Sequence, residues 1–115
     1  MVKKGDVYYA DFEPGIGSEQ AGRRPIVVIQ NDIGNKHSPT TIVAMITSKH
    51  KKPLPTHVTV SENVSGLPFE STVMLEQIRT VDKRRLGDQV GHMSDETMKQ
   101  IDIAAQISLD IKNET

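Results

Sequence analysis

Two periodicities divide the chain. From Asp6 to Phe12 the side chains alternate, with Val7, Tyr9 and Asp11 on one face and Tyr8, Ala10 and Phe12 on the other, which predicts a strand. Glu13 to Gly22 holds three glycines and a proline in ten residues and reads as a long loop. Pro25 to Gln30 (PIVVIQ) and Thr40 to Thr47 (TTIVAMIT) are short, β-branched apolar runs, each predicting a buried strand. Asn31 to Asn35 between them is turn chemistry. A basic loop with two prolines, Ser48 to Pro55, precedes an alternating segment from His57 to Ser61. Asn63 to Pro68 reads as a loop, and Ser71 to Val81 as the longest strand. Asp82 to Arg85 fits one helical turn, and Leu86 to His92 is ambiguous, a short strand being one reading.

The period then changes. Ser94 is a good N-cap, and Asp95 and Glu96 follow in the first turn, where the helix dipole favours acids. Met98, Ile101, Ala105 and Leu109 form one apolar stripe, widened by Ile103, Ile107 and Ile111, so an amphipathic helix is expected to pack on the sheet. Five or more short strands followed by one terminal helix predict a mainly β fold in a single domain, a small barrel or twisted sheet with a helical cap.

Composition narrows the class. The 115 residues suit one domain, and 36% hydrophobic with 25% charged residues suit a folded, soluble one. Aromatics are only 3%, so the core must rest on Val, Ile, Leu and Met, a lean core of the kind that gains from dimerisation. The absence of cysteine removes disulfides, thiol catalysis and cysteine-ligated zinc, and suits a reducing cytoplasm. Neither a signal peptide nor a membrane-spanning run is recognisable. Net charge is −1, but Arg23-Arg24, Lys49-His50-Lys51-Lys52 and Lys83-Arg84-Arg85 are basic clusters, while acids gather towards the tail. Each run taken singly is solvated surface; the three together favour an anionic partner moderately.

Standard catalytic constellations are missing. The chain has no phosphate-cradling glycine loop with Lys-Ser/Thr, no nucleophile elbow, and no histidine at metal-ligand spacing. His37 with His57 would serve acid–base chemistry, although each reads more simply as a surface residue. Two stretches remain: the polar glycine loop with Ser18, Glu19 and Gln20, feeding into Arg23-Arg24-Pro25, and Glu76-Gln77-Ile78-Arg79-Thr80, where alternation puts Gln77 and Arg79 on one face.

These stretches fall into five ordered blocks: Gly5-Asp6-Val7-Tyr8; Gly17-Ser18-Glu19-Gln20 running through Gly22 to Arg24-Pro25 and on to Gln30-Asn31-Asp32; Ile46-Thr47; Pro55-Thr56-His57-Val58; and Glu76 to Leu86. Singly each is weak. Together, in register over nearly the whole chain, they resemble the MazF/PemK toxins, closely the MazF/EndoA-type endoribonucleases of low-GC Gram-positive bacteria. The resemblance implies an SH3-like β-barrel (the MazF/PemK/CcdB-like fold) with short helices and a C-terminal helix, dimeric when active. It implies sequence-specific cleavage of single-stranded RNA, mostly messenger RNA, without metal or other cofactor, leaving a 2′,3′-cyclic phosphate and a 5′-hydroxyl. It also implies a MazE-like antitoxin partner supplying an extended, acidic segment.

By motif match the catalytic pair falls on Arg24 and Thr47; the adjacent Arg23 is set aside by the Arg-Pro register. The RNA-contacting loop falls on Ser18, Glu19 and Gln20, with Asn31 and Gln77 as further contacts; Arg79 lies on the face of Gln77, and Lys49 and Lys51 in the basic loop would attract the backbone. The physics agrees. RNA brings its own nucleophile, the 2′-hydroxyl beside the scissile phosphate, so positioning and charge stabilisation suffice. A guanidinium holds two phosphate oxygens but does not act as a base; Glu19 is a candidate for that role. Two rivals share this outline: a CcdB-like toxin acting on gyrase, and a catalytically silent binding module. The presence of both Arg24 and Thr47 argues against the first, and binding without cleavage products would mark the second.

Overall fold

The computed structural model describes residues 1–12, 22–49 and 52–112. Six strands alternate with three short or terminal helices: β1 (Asp6–Phe12), β2 (Gly22–Val28), α1 (Asp32–His37), β3 (Thr40–Thr47), β4 (His57–Val60), α2 (Glu62–Ser65), β5 (Ser71–Asp82), β6 (Leu86–His92) and α3 (Asp95–Ser108), with a 3-10 turn at Lys83–Arg85 before β6. All pairings are antiparallel, in the order β4-β5-β3-β2-β1-β6. The mainly β expectation holds, and the ambiguous Leu86–His92 segment is a strand paired with β1.

The sheet curls into a half-barrel, so both faces are buried. One core (Val7, Val27, Ala44, Ile46, Val58, Val73, Leu75) takes in Met98, Ile101 and Ala104 of α3. The other (Ala10, Phe12, Ile26, Val28, Val43, Met45, Met74, Val81) fills the opposite face. This two-sided burial is why β2 and β3 read as continuous apolar runs rather than alternating ones. The curl needs extra backbone on β5. Ala44 pairs with Ile78, but Met45 pairs with Met74, so Leu75, Glu76 and Gln77 form a bulge.

Three sequence expectations need correction. Asn31–Asn35 is not a plain turn: Asn31 caps α1, its side chain accepting from the Gly34 N–H at 2.8 Å. Buried Asn35 then bonds Thr41 Oγ1 at 2.7 Å and the Gln30 carbonyl at 2.9 Å, and Lys83 Nζ donates to the Asn35 carbonyl, so tertiary contacts stabilise a helix too short to persist alone. Within Asn63–Pro68, α2 ends on Gly66, whose φ of 82° closes the cap. On α3 the buried residues are Met98, Ile101 and Ala104; Ala105 is half-buried, and Ile103, Ile107, Leu109 and Ile111 are exposed. The helix meets the sheet along a narrow stripe and ends at Ser108, before Leu109 and Ile111 can continue it. Its start is as expected, Ser94 Oγ accepting from the Thr97 N–H at 3.2 Å.

Candidate active site

Arg24 lies on β2 opposite Ala10 of β1. The β2–β3 ladder runs Val28↔Val43, Val27↔Ala44 and Ile26↔Met45, then stops beside Pro25, which has no N–H to donate. Continuing that register two residues brings Arg24 opposite Thr47. Residues two apart on a strand share a face, so both follow the Ile26–Met45 face, and both stand where the strands no longer bond each other. Arg24 is exposed and Thr47 half-exposed. Thr47 Oγ1 accepts the Lys49 N–H at 3.2 Å, which leaves the hydroxyl proton to be donated outward. The pairing continues Thr47↔Thr72↔Thr59 across β3, β5 and β4, a row of hydroxyl residues leading away from the gap.

Arg23 is turned to the other side of β2. Its guanidinium stacks on the Tyr9 ring at 4.9 Å and reaches Asp88 at 3.4 Å. Strand alternation thus separates two adjacent arginines, one held by an aromatic ring and one on the open rim.

The remaining candidates divide. Lys49 lies two residues after Thr47 and is exposed. Arg79 shares a face with Val43 and stacks over Phe12, 4.5 Å from the ring centroid, which carries it to the end of β1 beside Gly22 and Arg24. Gln77 Nε2 contacts Met74 Sδ at 3.8 Å on that side, so the expected sharing of a face by Gln77 and Arg79 holds. Asn31 lies beyond the far end of β2 from Arg24, its oxygen engaged in capping α1. Ser18, Glu19, Gln20 and Lys51 lie outside the described residues.

Sequence reasoning undervalued His57. Rather than lying on the surface, it is buried to 5% side-chain exposure, its Nε2 2.8 Å from Glu76 Oε2, and Thr56 Oγ1 donates to Glu76 Oε1 at 3.1 Å. The β5 bulge makes this contact, and alternation along one strand carried no sign of it. His37 lies before the start of β3, whereas His57 pairs with Met74 opposite Met45, so the structure does not bring these two histidines together. Among the described residues no group of three or more His, Cys, Asp or Glu is placed to hold a metal ion.

Burial pushes the Glu76 carboxyl up, but hydrogen bonds from His57, the main chain and Thr56 outweigh it and hold the group below the usual glutamate range. A carboxylate held low stabilises the fold above its unfolded pKa of about 4.3, and that contribution is lost as pH falls through the folded value. The difference in thermal midpoint between the native chain and Glu76→Gln is therefore expected to be present at neutral pH and to shrink below about pH 4.3. A difference constant through the acid range would contradict this.

The profile of the PemK-like, MazF-like toxins of type II toxin–antitoxin systems matches residues 3–109, and the chain belongs to that family. It is 56% identical over 110 residues, 95% of each chain, to Endoribonuclease EndoA of Bacillus subtilis (strain 168). Among solved structures, an endoribonuclease in complex with its cognate antitoxin from Mycobacterial species superposes with a TM-score of 0.82 at 24% identity, covering 99% of this chain and 100% of that one. MazF (Form-I) from Deinococcus radiodurans gives 0.81 at 22% identity, covering 96% and 97%. These two likenesses establish the fold.

Proposed function

We propose that this MazF-like toxin is an endoribonuclease that cuts single-stranded RNA, chiefly messenger RNA, by attack of the 2′-oxygen on the adjacent phosphorus. The P–O5′ bond breaks, leaving a 2′,3′-cyclic phosphate and a 5′-hydroxyl, with no cofactor drawn from the protein. Arg24 holds two phosphate oxygens in its planar fork and stabilises the charge that develops on them. Thr47 donates its hydroxyl proton to the same phosphate. The observation that supports this reading is the β2–β3 register, whose last pair is Ile26↔Met45 and which, continued two residues further, brings Arg24 level with Thr47. Such a gap admits a phosphate between two donors without breaking a backbone hydrogen bond.

Single strands expose their base edges, and the polar loop residues Ser18, Glu19 and Gln20 with Gln77 and Asn31 supply the donors and acceptors to read them. Arg79, Lys49 and Lys51 attract the backbone, a contribution that weakens with salt. The working form is a homodimer in the cytoplasm, inhibited by a MazE-like antitoxin and arresting translation and growth when released. The exposed Ile103 and Ile107 of α3, with Leu109 and Ile111 just beyond its end, support a covered apolar surface, and no helix among the described residues is long and apolar enough to cross a membrane.

An RNA carrying 2′-deoxyribose at the cut position alone is expected to bind and resist cleavage, while its all-ribose twin is cut. Equal cutting of both would exclude the 2′-oxygen as nucleophile.

A further inference from the structure

The two ladders of β5 leave a stretch between them. Pairing with β4 stops at Met74, opposite His57, and pairing with β3 passes from Met74 to Ile78, so Leu75, Glu76 and Gln77 have no partner in either. The segment Thr56-His57 holds them. The Leu75 N–H donates to the Thr56 carbonyl at 2.9 Å, Thr56 Oγ1 donates to Glu76 Oε1 at 3.1 Å, and His57 Nε2 lies 2.8 Å from Glu76 Oε2. A carboxylate only accepts, so Nε2 carries the proton. The other ring nitrogen, Nδ1, is buried without a hydrogen-bond partner. Leaving it so costs stability. The bond to Glu76 is therefore what a histidine adds here over an apolar ring of similar shape.

The bulge also decides where Gln77 points. In a regular strand Gln77, three residues beyond Met74, would lie on the opposite face. Instead its Nε2 is 3.8 Å from Met74 Sδ. Met74 pairs with Met45, and Thr47 of the rim is two residues further along β3, its own partner being Thr72. Such diagonal neighbours lie about 7–8 Å apart. The Gln77 amide thus rests on a residue next to the rim, and the bulge that turns it there is gripped from β4.

We propose that His57 is a positioning residue for RNA recognition: by holding Glu76 it fixes the bulge that aims the Gln77 amide at a base beside the scissile phosphate. The inference rests on the reading of Gln77 as an RNA contact near the Arg24–Thr47 rim, and adds what sets its direction. An amide carries donors and an acceptor, and it distinguishes base edges only when its direction is set by the structure behind it. At 5% side-chain exposure, His57 acts through Glu76 and Gln77 rather than by touching RNA itself.

The test uses the full chain and a long single-stranded RNA of mixed sequence, with cut frequencies counted by base at each position flanking the cut. Gln77→Ala is expected to relax the preference at one flanking position by about threefold to tenfold, the worth of about one hydrogen bond. His57→Phe and Glu76→Ala relax the same position and no other, and on the preferred RNA they raise KM with a smaller effect on kcat. Added to Gln77→Ala, His57→Phe changes the preference no further, as expected of residues that act as one unit. His57→Gln keeps an N–H for Glu76 and restores part of the preference. Thermal midpoints are measured for every variant, and Glu76→Ala, at an exposed position, carries the test if His57→Phe does not fold. Native preference in the folded variants, or an effect of His57→Phe that persists in full in the Gln77→Ala chain, would overturn the proposal. Unchanged preference in Gln77→Ala itself would instead strike the reading of Gln77 as an RNA contact, and the proposal with it.

Discussion

Replacing Arg24 by alanine is expected to slow RNA cleavage by about a thousandfold or more while leaving the thermal midpoint nearly unchanged. Removing one preorganised donor from a developing oxyanion costs about 10²–10³ in rate, and arginines that stabilise phosphoryl transition states account for about 10³–10⁵. Arg24 belongs in this range because it brings both charge and a bidentate fork. Stability moves little because the side chain is exposed and lies beyond the last β2–β3 pair. Arg24→Lys should recover only part of the rate, since an ammonium keeps the charge but not the planar pair of donors. Arg23→Ala makes the contrast. That side chain stacks on Tyr9 and reaches Asp88 on the other side of β2, and its loss is expected to change single-turnover rates by less than about tenfold. Comparable rates in Arg24→Ala and the native chain would remove Arg24 from the chemistry.

The second large effect concerns stability, at the place where α2 meets β6. A Cβ on Gly91 would lie 2.2 Å from the Ser65 carbonyl oxygen, and one on Gly66 would lie 2.1 Å from the Val90 carbonyl oxygen. Each obstacle is main chain, so relief requires the helix cap and the strand to move apart. Overpacking typically costs about 1–3 kcal/mol and sometimes more, and a rigid backbone on both sides places Gly91→Ala at the upper end. Gly66 also has a φ of 82°, where an L side chain adds about 1–2 kcal/mol. Thermal midpoints are expected to fall by roughly 10 °C or more in Gly91→Ala and further in Gly66→Ala, at a few degrees per kcal/mol. A shift of only a degree or two in both would mean that the α2–β6 contact is looser than described.

Much of this architecture was legible because period and composition act locally. Alternation placed β1, the β-branched runs placed the cores of β2 and β3, and Ser94 with Asp95 and Glu96 placed the start of α3 within one residue. The illegible parts depend on distant partners. Asn31 to Asn35 looked like a turn because the bonds that make it a helix come from Gln30, Thr41 and Lys83. Leu109 and Ile111 looked like core because apolarity alone does not say where a helix stops against its sheet. His57 looked like surface because its partner, Glu76, reaches it through a bulge that appears only once β3 and β5 are in register. The site shows the same division. Arg24 and Thr47 were proposed from resemblance, and the β2–β3 register, continued past its last pair, brings the strand positions that carry them level.

The most direct test of the account is the chemistry of the ends made when purified, antitoxin-free protein cuts a long single-stranded RNA in excess chelator. The account predicts discrete cuts, each leaving a 2′,3′-cyclic phosphate on one fragment and a 5′-hydroxyl on the other. A 3′-hydroxyl with a 5′-phosphate, or cutting that ceases on chelation, would contradict it, because attack would then come from water or depend on a metal rather than on the RNA's own 2′-oxygen.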